Sequence, residues 1–334
     1  MLEAPLVEES VRPSAARRSA RGAAIASLAT ALPPRVVTSE SLAQGLGVNG
    51  RWITRRTGVE ERHYMSDGET LTALATRAGS AALEQAGLAA SEVDMILVGT
   101  CTPDQLLPHT SALVAAELGA DTAALDVGGA CMGFLALLSL ATAYVESGRA
   151  DRLLAIGADQ FSRFVDPRDR QTVSIFGDGA GAVVLTATDD RSRIGPFSFH
   201  VDGAGAPLVY MTHEDHAIRM DGPETFKHAV VALSSVTDEA VAAAGLERGD
   251  VDLFVYHQAN SRILEAVGER LGLPRERVVD NIAGTGNTSA ASIPLALDAA
   301  RADGRLRDGA RVLVSGIGAG FVWGATVIEW GSDA

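Results

Sequence analysis

The sequence AGLAASEVDMILV at residues 86–98 decides the fold, because a closely similar stretch, AGLERGDVDLFVY, returns at residues 244–256. Both begin with Ala-Gly-Leu, continue with an acidic residue, Val and Asp, and end in four apolar residues. Every matched position is displaced by the same 158 residues. Matches that share one offset indicate an internal duplication, in which one structural unit occurs twice.

The surroundings of the two stretches repeat as well. A helical pattern precedes each of them, at residues 71–85 and 226–243, and a glycine follows it, as is common at helix C-termini. Downstream, both parts continue with a turn, a helix and a strand. The first series runs through a strand and turn at 123–130, a helix at about 131–147 and a strand at 153–156. The second runs through 278–279, a glycine turn at 284–286, a helix at about 288–302 and a strand at 311–315.

Alternating strands and helices favour an α/β fold with mainly parallel sheets that carry helices on both faces. The helix after Cys131 has no charged side chain until Glu146, and a helix that is apolar all round belongs in a core. We therefore expect two similar halves in a layered αβαβα arrangement, with central helices buried between two sheets. The expected domains are a disordered tail at 1–22, an N-terminal half at 23–190 and a C-terminal half at 191–334.

The composition is that of a globular protein with an acidic surface, since 47% of its 334 residues are hydrophobic and its formal net charge is −14. This charge argues against broad nucleic-acid binding, which needs clustered cations, and any acidic partner has to meet a local basic patch. Two cysteines, Cys101 and Cys131, are too few for a disulfide framework and lack the spacing of a zinc site. We expect no metal and a reducing, cytoplasmic setting.

No uncharged apolar run reaches the roughly 20 residues that a membrane-spanning helix needs, so we expect no membrane contact. The N-terminus leaves two interpretations open. Arg17-Arg18 before the apolar stretch at 22–33 resembles a twin-arginine export signal. The other interpretation is the polar tail, which leads into a first strand at 23–32.

Cys131 is a candidate nucleophile because it follows the strand Leu125-Asp126-Val127 and the small residues Gly128-Gly129-Ala130, where the buried helix begins. The backbone N–H groups of the first helical turn would point at its sulfur and favour the thiolate. The alternative is a buried structural cysteine. Cys101 has no helix starting at it, and we interpret it as structural.

His257 and Asn287 are candidate hydrogen-bond donors. His257 follows the apolar strand 251–256 at its C-terminal end, where parallel α/β sheets present functional groups, although a satisfied structural histidine is an equal alternative. Asn287 precedes a helix and could be its N-cap. In the duplicated register Cys131 corresponds to position 289, two residues from Asn287, so the repeat would bring the two turns face to face.

The glycine-rich stretch Gly316-Ile317-Gly318-Ala319-Gly320 lies between two predicted strands, at 311–315 and 322–329. No helix follows it, which argues against a phosphate-binding loop. As a hairpin it brings backbone N–H groups close to a reacting centre, which suits an oxyanion hole.

Eight motifs in this order resemble the ketoacyl-synthase III (beta-ketoacyl-ACP synthase III) family of the thiolase superfamily, from about residue 23 to residue 330. They are Trp52-Ile53, Arg56-Thr57-Gly58, Gly129-Ala130-Cys131-Met132-Gly133-Phe134, Asp166-Pro167 with Asp169-Arg170, Phe176-Gly177-Asp178-Gly179-Ala180-Gly181, His257-Gln258-Ala259-Asn260, Gly286-Asn287-Thr288-Ser289-Ala290-Ala291-Ser292, and Phe321 with Trp323-Gly324.

The resemblance implies a thiolase-like fold and a decarboxylative Claisen condensation. Cys131 would take an acyl group from an acyl-CoA as a thioester. His257 and Asn287 would hold the thioester carbonyl of a malonyl group on acyl carrier protein while CO₂ leaves and an enolate forms. The backbone N–H groups of Cys131 and Ala319 would form the oxyanion hole. Two donors aimed at a developing negative charge in a dry pocket fit this chemistry.

The same resemblance implies the binding residues and partners. It implies no cofactor, since acyl-CoA and malonyl-ACP are substrates, and it implies a homodimer. Lysine and arginine positions would supply the basic patch for acidic carrier protein, and aromatic and arginine positions would bind CoA. Without the resemblance, a core tryptophan and solvated charged residues would be the simpler interpretation. The CoA positions are Trp52, Arg56, Arg170, Gly222, Phe226 and Asn260; the carrier-protein positions are Lys227, Arg262 and Arg270.

Two departures bear on the acyl group. Leu107 stands where a common family member has a phenylalanine that the partner subunit contributes to the acyl pocket, and Met132 replaces a smaller residue. A pocket reshaped by both could accept a longer, branched or unusual starter, as in branched-chain fatty acid or polyketide initiation. The starter, and whether malonyl is carried by ACP or CoA, stay open.

Three rival functions remain. A cysteine hydrolase also shows Cys, His and Asn in this order, but its usual sequence surroundings are missing. A related acyltransferase would pass the acyl group to a hydroxyl or an amine without decarboxylation, which needs a base but not both His257 and Asn287. A non-catalytic binding protein would not need the three residues together.

Overall fold

The computed structural model describes residues 21–190 and 193–331. Most of the predicted tail, residues 1–20, lies outside the described residues, as do residues 191 and 192 beside the predicted boundary. The twin-arginine interpretation also falls on residues outside this range. In the described part, no helix is long and apolar enough to span a membrane.

The described residues form 13 strands and nine α-helices. The strands are β1 (Gly22–Ala31), β2 (Arg35–Thr38), β3 (Glu61–Tyr64), β4 (Met95–Gly99), β5 (Ala123–Val127), β6 (Arg152–Gln160), β7 (Asp178–Thr188), β8 (Ser198–Val201), β9 (Val209–Tyr210), β10 (Arg219–Met220), β11 (Leu253–Tyr256), β12 (Arg311–Gly318) and β13 (Val322–Glu329). The helices are α1 (Ser39–Ala43), α2 (Gly50–Thr57), α3 (Leu71–Gln85), α4 (Thr110–Leu118), α5 (Gly133–Glu146), α6 (Gly222–Ala243), α7 (Ser261–Leu271), α8 (Ile282–Thr285) and α9 (Ser292–Ala302).

Two main sheets repeat one strand order. The first is β1-β7-β6-β4-β5, and the second is β8-β13-β12-β11. In the first sheet β5 pairs with β4. At the equivalent place in the second sheet, Phe254 of β11 forms an isolated parallel bridge with Val278. The duplication read from residues 86–98 and 244–256 is therefore a duplication of the sheets themselves.

The sheets are mixed, so the prediction of mainly parallel sheets is wrong. β4 pairs in parallel with β5 and β6, as β11 does with β12, but β7 and β13 run antiparallel to the strands before them. The reason is that no α-helix lies between β6 and β7 or between β12 and β13, and two strands joined without a helical crossover can pair antiparallel.

The central helices α5 and α9 lie between the two sheets, as predicted. One core cluster contains Leu135 and Leu138 of α5 and Leu297 of α9 together with inward-facing residues of both sheets, such as Leu153 and Val314. On the outer faces, α3 and α4 cover the first sheet, and α6 and α7 cover the second. The layered αβαβα arrangement is confirmed.

Helix starts differ slightly from the predicted ones. α3 has the predicted bounds, but α6 begins at Gly222, one turn early, because Asp221 caps it by accepting a hydrogen bond of 3.2 Å from the Glu224 N–H. The predicted division at residue 190 falls between β7, which ends at Thr188, and β8, which begins at Ser198. The boundary between the two halves at residue 190 stays a prediction.

Candidate active site

Cys131 lies in a tight turn between β5 and α5. The backbone passes through Gly129 and through Ala130 at φ 49°, and then forms a 3₁₀ segment, Ala130–Met132, which we call the first turn. α5 begins at Gly133, and Cys131 is partly exposed. The strand-to-helix placement read from the sequence therefore holds, except that a 3₁₀ segment precedes the helix.

A matching 3₁₀ segment, Ser289–Ala291, precedes α9, and we call it the second turn. Ser289 has φ 51°, close to the value at Ala130. In this region the two halves are displaced by 159 residues rather than 158, because α5 begins at Gly133 and α9 at Ser292. The counterpart of Cys131 is therefore Ala290.

The two turns pack against each other, as the duplicated register predicts. A methyl group placed on Gly133 would lie 3.3 Å from the Ala290 Cβ. A side chain on Gly157, in the neighbouring strand β6, would collide with the Ala290 carbonyl oxygen. The close approach of the second turn to Cys131 therefore depends on residues without a Cβ.

The free Cys131 is a thiol. Burial raises the pKa of Cys131, the Ser289 hydroxyl lowers it and the neighbouring Asp159 raises it, so that the net pKa is about 12. The helix start favours the thiolate, as the sequence suggests, but removal of the sulfur from water opposes it and has the larger effect. The sulfur has to lose its proton during the reaction.

His257 follows β11 and is 2% exposed. Its N–H donates to the Ser315 carbonyl over 2.7 Å, and its Nδ1 lies 2.6 Å from the Ser292 Oγ at the start of α9. Burial lowers the pKa of His257 to about 3. The imidazole is thus neutral at physiological pH, and one ring nitrogen is occupied by Ser292.

Asn287 is fixed on both sides by backbone hydrogen bonds. Its N–H donates to the Ile175 carbonyl over 2.9 Å, and its own carbonyl accepts from the Gly177 N–H over 3.0 Å. Its Oδ1 accepts from the Ser289 N–H over 2.8 Å, which leaves the amide NH₂ as the available donor. Asn287 does not cap α9, since Ala291 occupies the capping position.

The glycine-rich stretch is a hairpin, as predicted, in which β12 and β13 pair antiparallel from Arg311–Glu329 to Gly318–Val322. A Cβ placed on Gly318 would lie 3.1 Å from the Cys131 backbone nitrogen and 2.9 Å from the Gly129 carbonyl oxygen. Only glycine lets the strand pass so close. Ala319, the residue assigned to the oxyanion hole, follows directly.

The residues that the resemblance assigns to CoA form a connected surface. The guanidinium groups of Arg56 and Arg170 lie 4.6 and 5.3 Å from the Trp52 ring centroid. Asn260 caps α7 and donates from its Nδ2 to the Arg56 carbonyl over 3.1 Å. A Cβ on Gly222 would lie 3.5 Å from the Gln171 Oε1, directly beside Arg170.

Phe226 joins this surface to the predicted carrier-protein positions, because the Arg262 guanidinium lies 5.6 Å from its ring centroid. Lys227 is exposed and forms an ion pair of 2.6 Å with Glu224. Arg270 is exposed in the last turn of α7.

The two acyl-pocket positions differ in exposure. Leu107 is 73% exposed, while Met132 is 7% exposed and belongs to the central core, where a Cβ placed on Gly316 would lie 3.4 Å from it. Within one chain, Leu107 is on the surface. Among the described residues, no His, Cys, Asp and Glu side chains are grouped so that they could hold a metal ion.

Two family models match the chain: 3-oxoacyl-[acyl-carrier-protein] synthase III at residues 125–203 and its C-terminal region at 241–330. The beta-ketoacyl-[acyl-carrier-protein] synthase III of Rhodospirillum centenum is 46% identical over 311 residues, which cover 90% of this chain and 96% of the relative. That of Rhizorhabdus wittichii is 43% identical over 318 residues, covering 93% and 100%. This chain belongs to the beta-ketoacyl-[acyl-carrier-protein] synthase III family.

Solved structures agree with this membership. The family member from Aquifex aeolicus VF5 matches with a TM-score of 0.90 at 40% identity, over 92% of this chain and 100% of that one. The priming beta-ketosynthase of the R1128 polyketide pathway also has a TM-score of 0.90, at 33% identity over 96% and 100%. The fold is thiolase-like, and this synthase III is an acyltransferase.

Sequence reasoning gave no role to three polar residues around the site of this synthase III: Ser292, Ser289 and Asp159. Ser292 and Ser289 belong to a quoted motif, but only the fold places them against His257 and Cys131. Asp159 had a signal of its own, since it lies near the end of the apolar strand β6, much as His257 follows β11.

Proposed function

We propose that this synthase III condenses an acyl-CoA starter with malonyl-ACP to a 3-oxoacyl-ACP, and so initiates fatty acid or polyketide chains. The observation that carries the proposal is the packing of the first turn, with Cys131, against the second turn, which follows Asn287 and leads into the helix that contacts His257. One nucleophile and two neutral donors at one place are what this condensation requires.

In the first half-reaction, the Cys131 sulfur attacks the thioester carbon of acyl-CoA and CoA leaves. The negative charge on the carbonyl oxygen is held by the N–H groups of Cys131 and Ala319. The contact of Gly318 with the Cys131 backbone supports this pairing, because it places the hairpin and the first turn side by side. Fixed donors stabilise a developing oxyanion without having to reorganise.

In the second half-reaction, malonyl-ACP loses CO₂, and the resulting enolate oxygen accepts hydrogen bonds from His257 and Asn287. His257 acts as a neutral imidazole, since burial holds its pKa at about 3. When the Ser292 hydroxyl donates to Nδ1, the ring proton resides on Nε2, which can then donate to the enolate. The Asn287 Oδ1 is occupied by Ser289, so its NH₂ group serves as the second donor.

The enolate carbon then attacks the Cys131 thioester and releases the 3-oxoacyl product. An acyl-enzyme formed in one half-reaction and consumed in the next gives ping-pong kinetics. The chemistry proceeds at activated thioester carbons, so we propose that it needs no cofactor. Both cysteines are free thiols, which fits a cytoplasmic setting.

Acyl-CoA would bind along the connected surface that contains Trp52, Arg56 and Arg170. Adenine would stack on Trp52 in place of one of the two arginines that now cover it, while Arg56 and Arg170 pair with phosphates. Gly222, Phe226 and Asn260 continue this surface toward the site. Acidic carrier protein would dock on Lys227, Arg262 and Arg270, the basic positions beside it.

We also propose a homodimer. β5 is an edge of the first sheet, and Leu125 on this strand is 50% exposed, as are Leu106 (71%) and Leu107 (73%) in the loop between β4 and α4. A second copy would cover this apolar edge, which a soluble protein rarely leaves open. Leu107 would then reach the acyl pocket of the other copy, where Met132 also affects its shape.

The test is to incubate the protein with malonyl-ACP and each member of a panel of acyl-CoAs. Mass spectrometry would follow the adduct on Cys131, and CO₂ and the 3-oxoacyl product would be measured in parallel. We expect one acyl adduct per chain, then CO₂ and product in equal amounts. An adduct that passes to a hydroxyl or an amine without CO₂ release would contradict the proposal.

A further inference from the structure

The carboxylate of Asp159 is buried beside Cys131 and has no role in the reaction as described so far. It is 0% exposed, and in residues 21–190 and 193–331 no cation forms an ion pair with it. Its Oδ1 accepts from the Cys101 N–H at 2.7 Å and from the hydroxyls of Thr102 at 2.8 Å and Thr100 at 3.1 Å. Its Oδ2 accepts from the Ala290 N–H, at 3.1 Å, from the second turn.

Ser289 is in the second turn, one residue before Ala290, whose N–H donates to this carboxylate, and the second turn packs against the first turn with Cys131. Ser289 is fully buried, its Oγ has no hydrogen bond of ordinary geometry, and its φ of 51° is unusual for a residue other than glycine. The hydroxyl nevertheless lies close enough to lower the pKa of Cys131, of Cys101 and of Asp159. A buried hydroxyl that has no fixed partner and acts on both a thiol and a carboxylate can pass a proton from one to the other.

The charges decide where the proton of Cys131 can go. Burial raises the pKa of both Cys131 and Asp159, and the Asp159 carboxylate further disfavours a thiolate at Cys131. If the thiol lost its proton to water, two adjacent buried anions would remain. Transfer from the thiol to Asp159 leaves the pair with one negative charge throughout, so it avoids that cost.

We propose that Cys131 gives its proton to Asp159 through the Ser289 hydroxyl as it is acylated, and that Asp159 holds the proton until condensation releases the sulfur. The inference rests on the proposed acyl-enzyme. It adds a proton store that neither the sequence motifs nor the family membership assigns.

The steps balance. On acylation the Cys131 S–H bond breaks, Ser289 accepts that proton and passes its own to Asp159, the S–C bond forms, and CoA leaves as a thiolate that takes a proton from water. On condensation the S–C bond breaks, and the Cys131 thiolate recovers the proton from Asp159 through Ser289. Between the two steps Asp159 is neutral, so no carboxylate beside the site opposes the negative charge of the enolate.

The other titratable groups around Asp159 do not take this role. Cys101, from the loop after β4, also faces Asp159 and Cys131, but burial and these two neighbours raise its pKa well above the usual range, so it stays a thiol. His257 is kept neutral by burial and has its Nδ1 engaged by Ser292.

The first experiment is infrared difference spectroscopy on the full-length protein, before and after acylation by the fastest of acetyl-, butyryl-, isobutyryl- and octanoyl-CoA. We expect the C=O stretch of one protonated carboxylic acid to appear with the acyl-enzyme and to be absent in D159N. Asp178, a buried carboxyl bonded to the Met65 N–H and to Ser162, is the control, and D178N should keep the new band. No band in the wild type, or a band that persists in D159N, would overturn the inference.

The second experiment measures the rate of Cys131 acylation against pH by rapid quench. The wild-type rate should change little from pH 6 to 9, since the proton moves internally. For D159N and S289A we expect about a 100-fold loss near pH 7 and a tenfold gain per pH unit, because the thiol then has to ionise into water. D178N should keep the wild-type profile.

A loss in D159N and S289A that is equal at every pH would mean a purely structural role and would refute the proton transfer. If D159N does not fold, S289A and the wild-type infrared band still decide the question. If no acyl-CoA labels Cys131 at all, the proposed function fails. If an acyl-CoA labels Cys131 but D159N and S289A keep the wild-type dependence of the acylation rate on pH, the proton transfer is refuted and the proposed function stands.

Discussion

The first turn, Ala130–Met132, and the second turn, Ser289–Ala291, have nearly the same backbone and different side chains. Ala130 and Ser289 share a φ near 50°, and each turn leads into a central helix. With the displacement of 159, Cys131 corresponds to Ala290, and Gly128 corresponds to Asn287. The duplication preserved a backbone that can place groups at the centre, while the nucleophile went to one half and the donors to the other.

The largest expected effect comes from removing the nucleophile, because it tests whether the nucleophile and the donors belong to different halves. C131A should lose acylation and condensation completely, since no other side chain of the first turn can form a thioester. It should keep some decarboxylation of malonyl-ACP, because the second turn and His257 are unchanged. Adduct mass and CO₂ release measure the two activities. An acyl adduct elsewhere with full product formation would mean that Cys131 is not the nucleophile.

Removing the donor from the second turn should give the reverse pattern. N287A should slow decarboxylation and condensation by about 10²–10³, the usual cost of losing one oxyanion donor, and leave acylation of Cys131 near the wild-type rate. Rapid-quench acylation and product formation are compared on the same preparation. Unchanged condensation would show that the role assigned to Asn287 is wrong.

Pushing the two turns apart tests their contact. G157A places a methyl group against the Ala290 carbonyl, so the free energy of unfolding should fall by about 1–3 kcal/mol, with condensation reduced. Denaturant unfolding measures the stability. G249A is the control, because a Cβ at Gly249 has open space around it. Equal stability of the two variants would mean that the turns can separate without cost.

Ser292 occupies the position in α9 that Gly133 occupies in α5. Only the C-terminal half therefore has a hydroxyl at this position, and it contacts the His257 Nδ1. S292A should lower decarboxylation about tenfold, since His257 loses the hydrogen bond at Nδ1, and leave acylation unchanged. The ¹⁵N chemical shifts of His257 should show a single Nε2–H tautomer in the wild type and a mixture in S292A. A single tautomer in both proteins would assign the orientation of the ring to other contacts.

The smallest expected effect is an absence of pH dependence. Burial lowers the pKa of His257 to about 3, so decarboxylation by C131A should show no inflection near pH 6.5 between pH 8 and 5. The free energy of unfolding, in contrast, should depend on pH. Below pH 6.5 the unfolded state binds a proton that the folded state does not, so the free energy of unfolding falls as the pH is lowered toward 3. H257Q should lose this contribution; an inflection in activity near 6.5 would contradict a neutral, buried imidazole.

The sequence predicted some elements closely and others poorly, for physical reasons. α3 and β13 lie at the predicted residues because capping residues, glycines and apolar runs are local signals. The mixed sheets were missed, since the direction in which β7 and β13 pair depends on neighbours distant in sequence. The thiol form of Cys131 was missed because a helix start is visible in the sequence, whereas the burial that raises its pKa is not.

By itself, the sequence of this protein determined the duplication, the layered fold and the family, because these depend on repeated spacing and on motifs in a fixed order. The tertiary structure alone decided that the true register pairs Cys131 with Ala290, that Ser292 contacts His257, and that Asp159 and Ser289 lie beside the sulfur. These contacts join residues from different halves or strands. Burial and proximity of this kind arise only when the chain has packed, and they govern which groups carry protons.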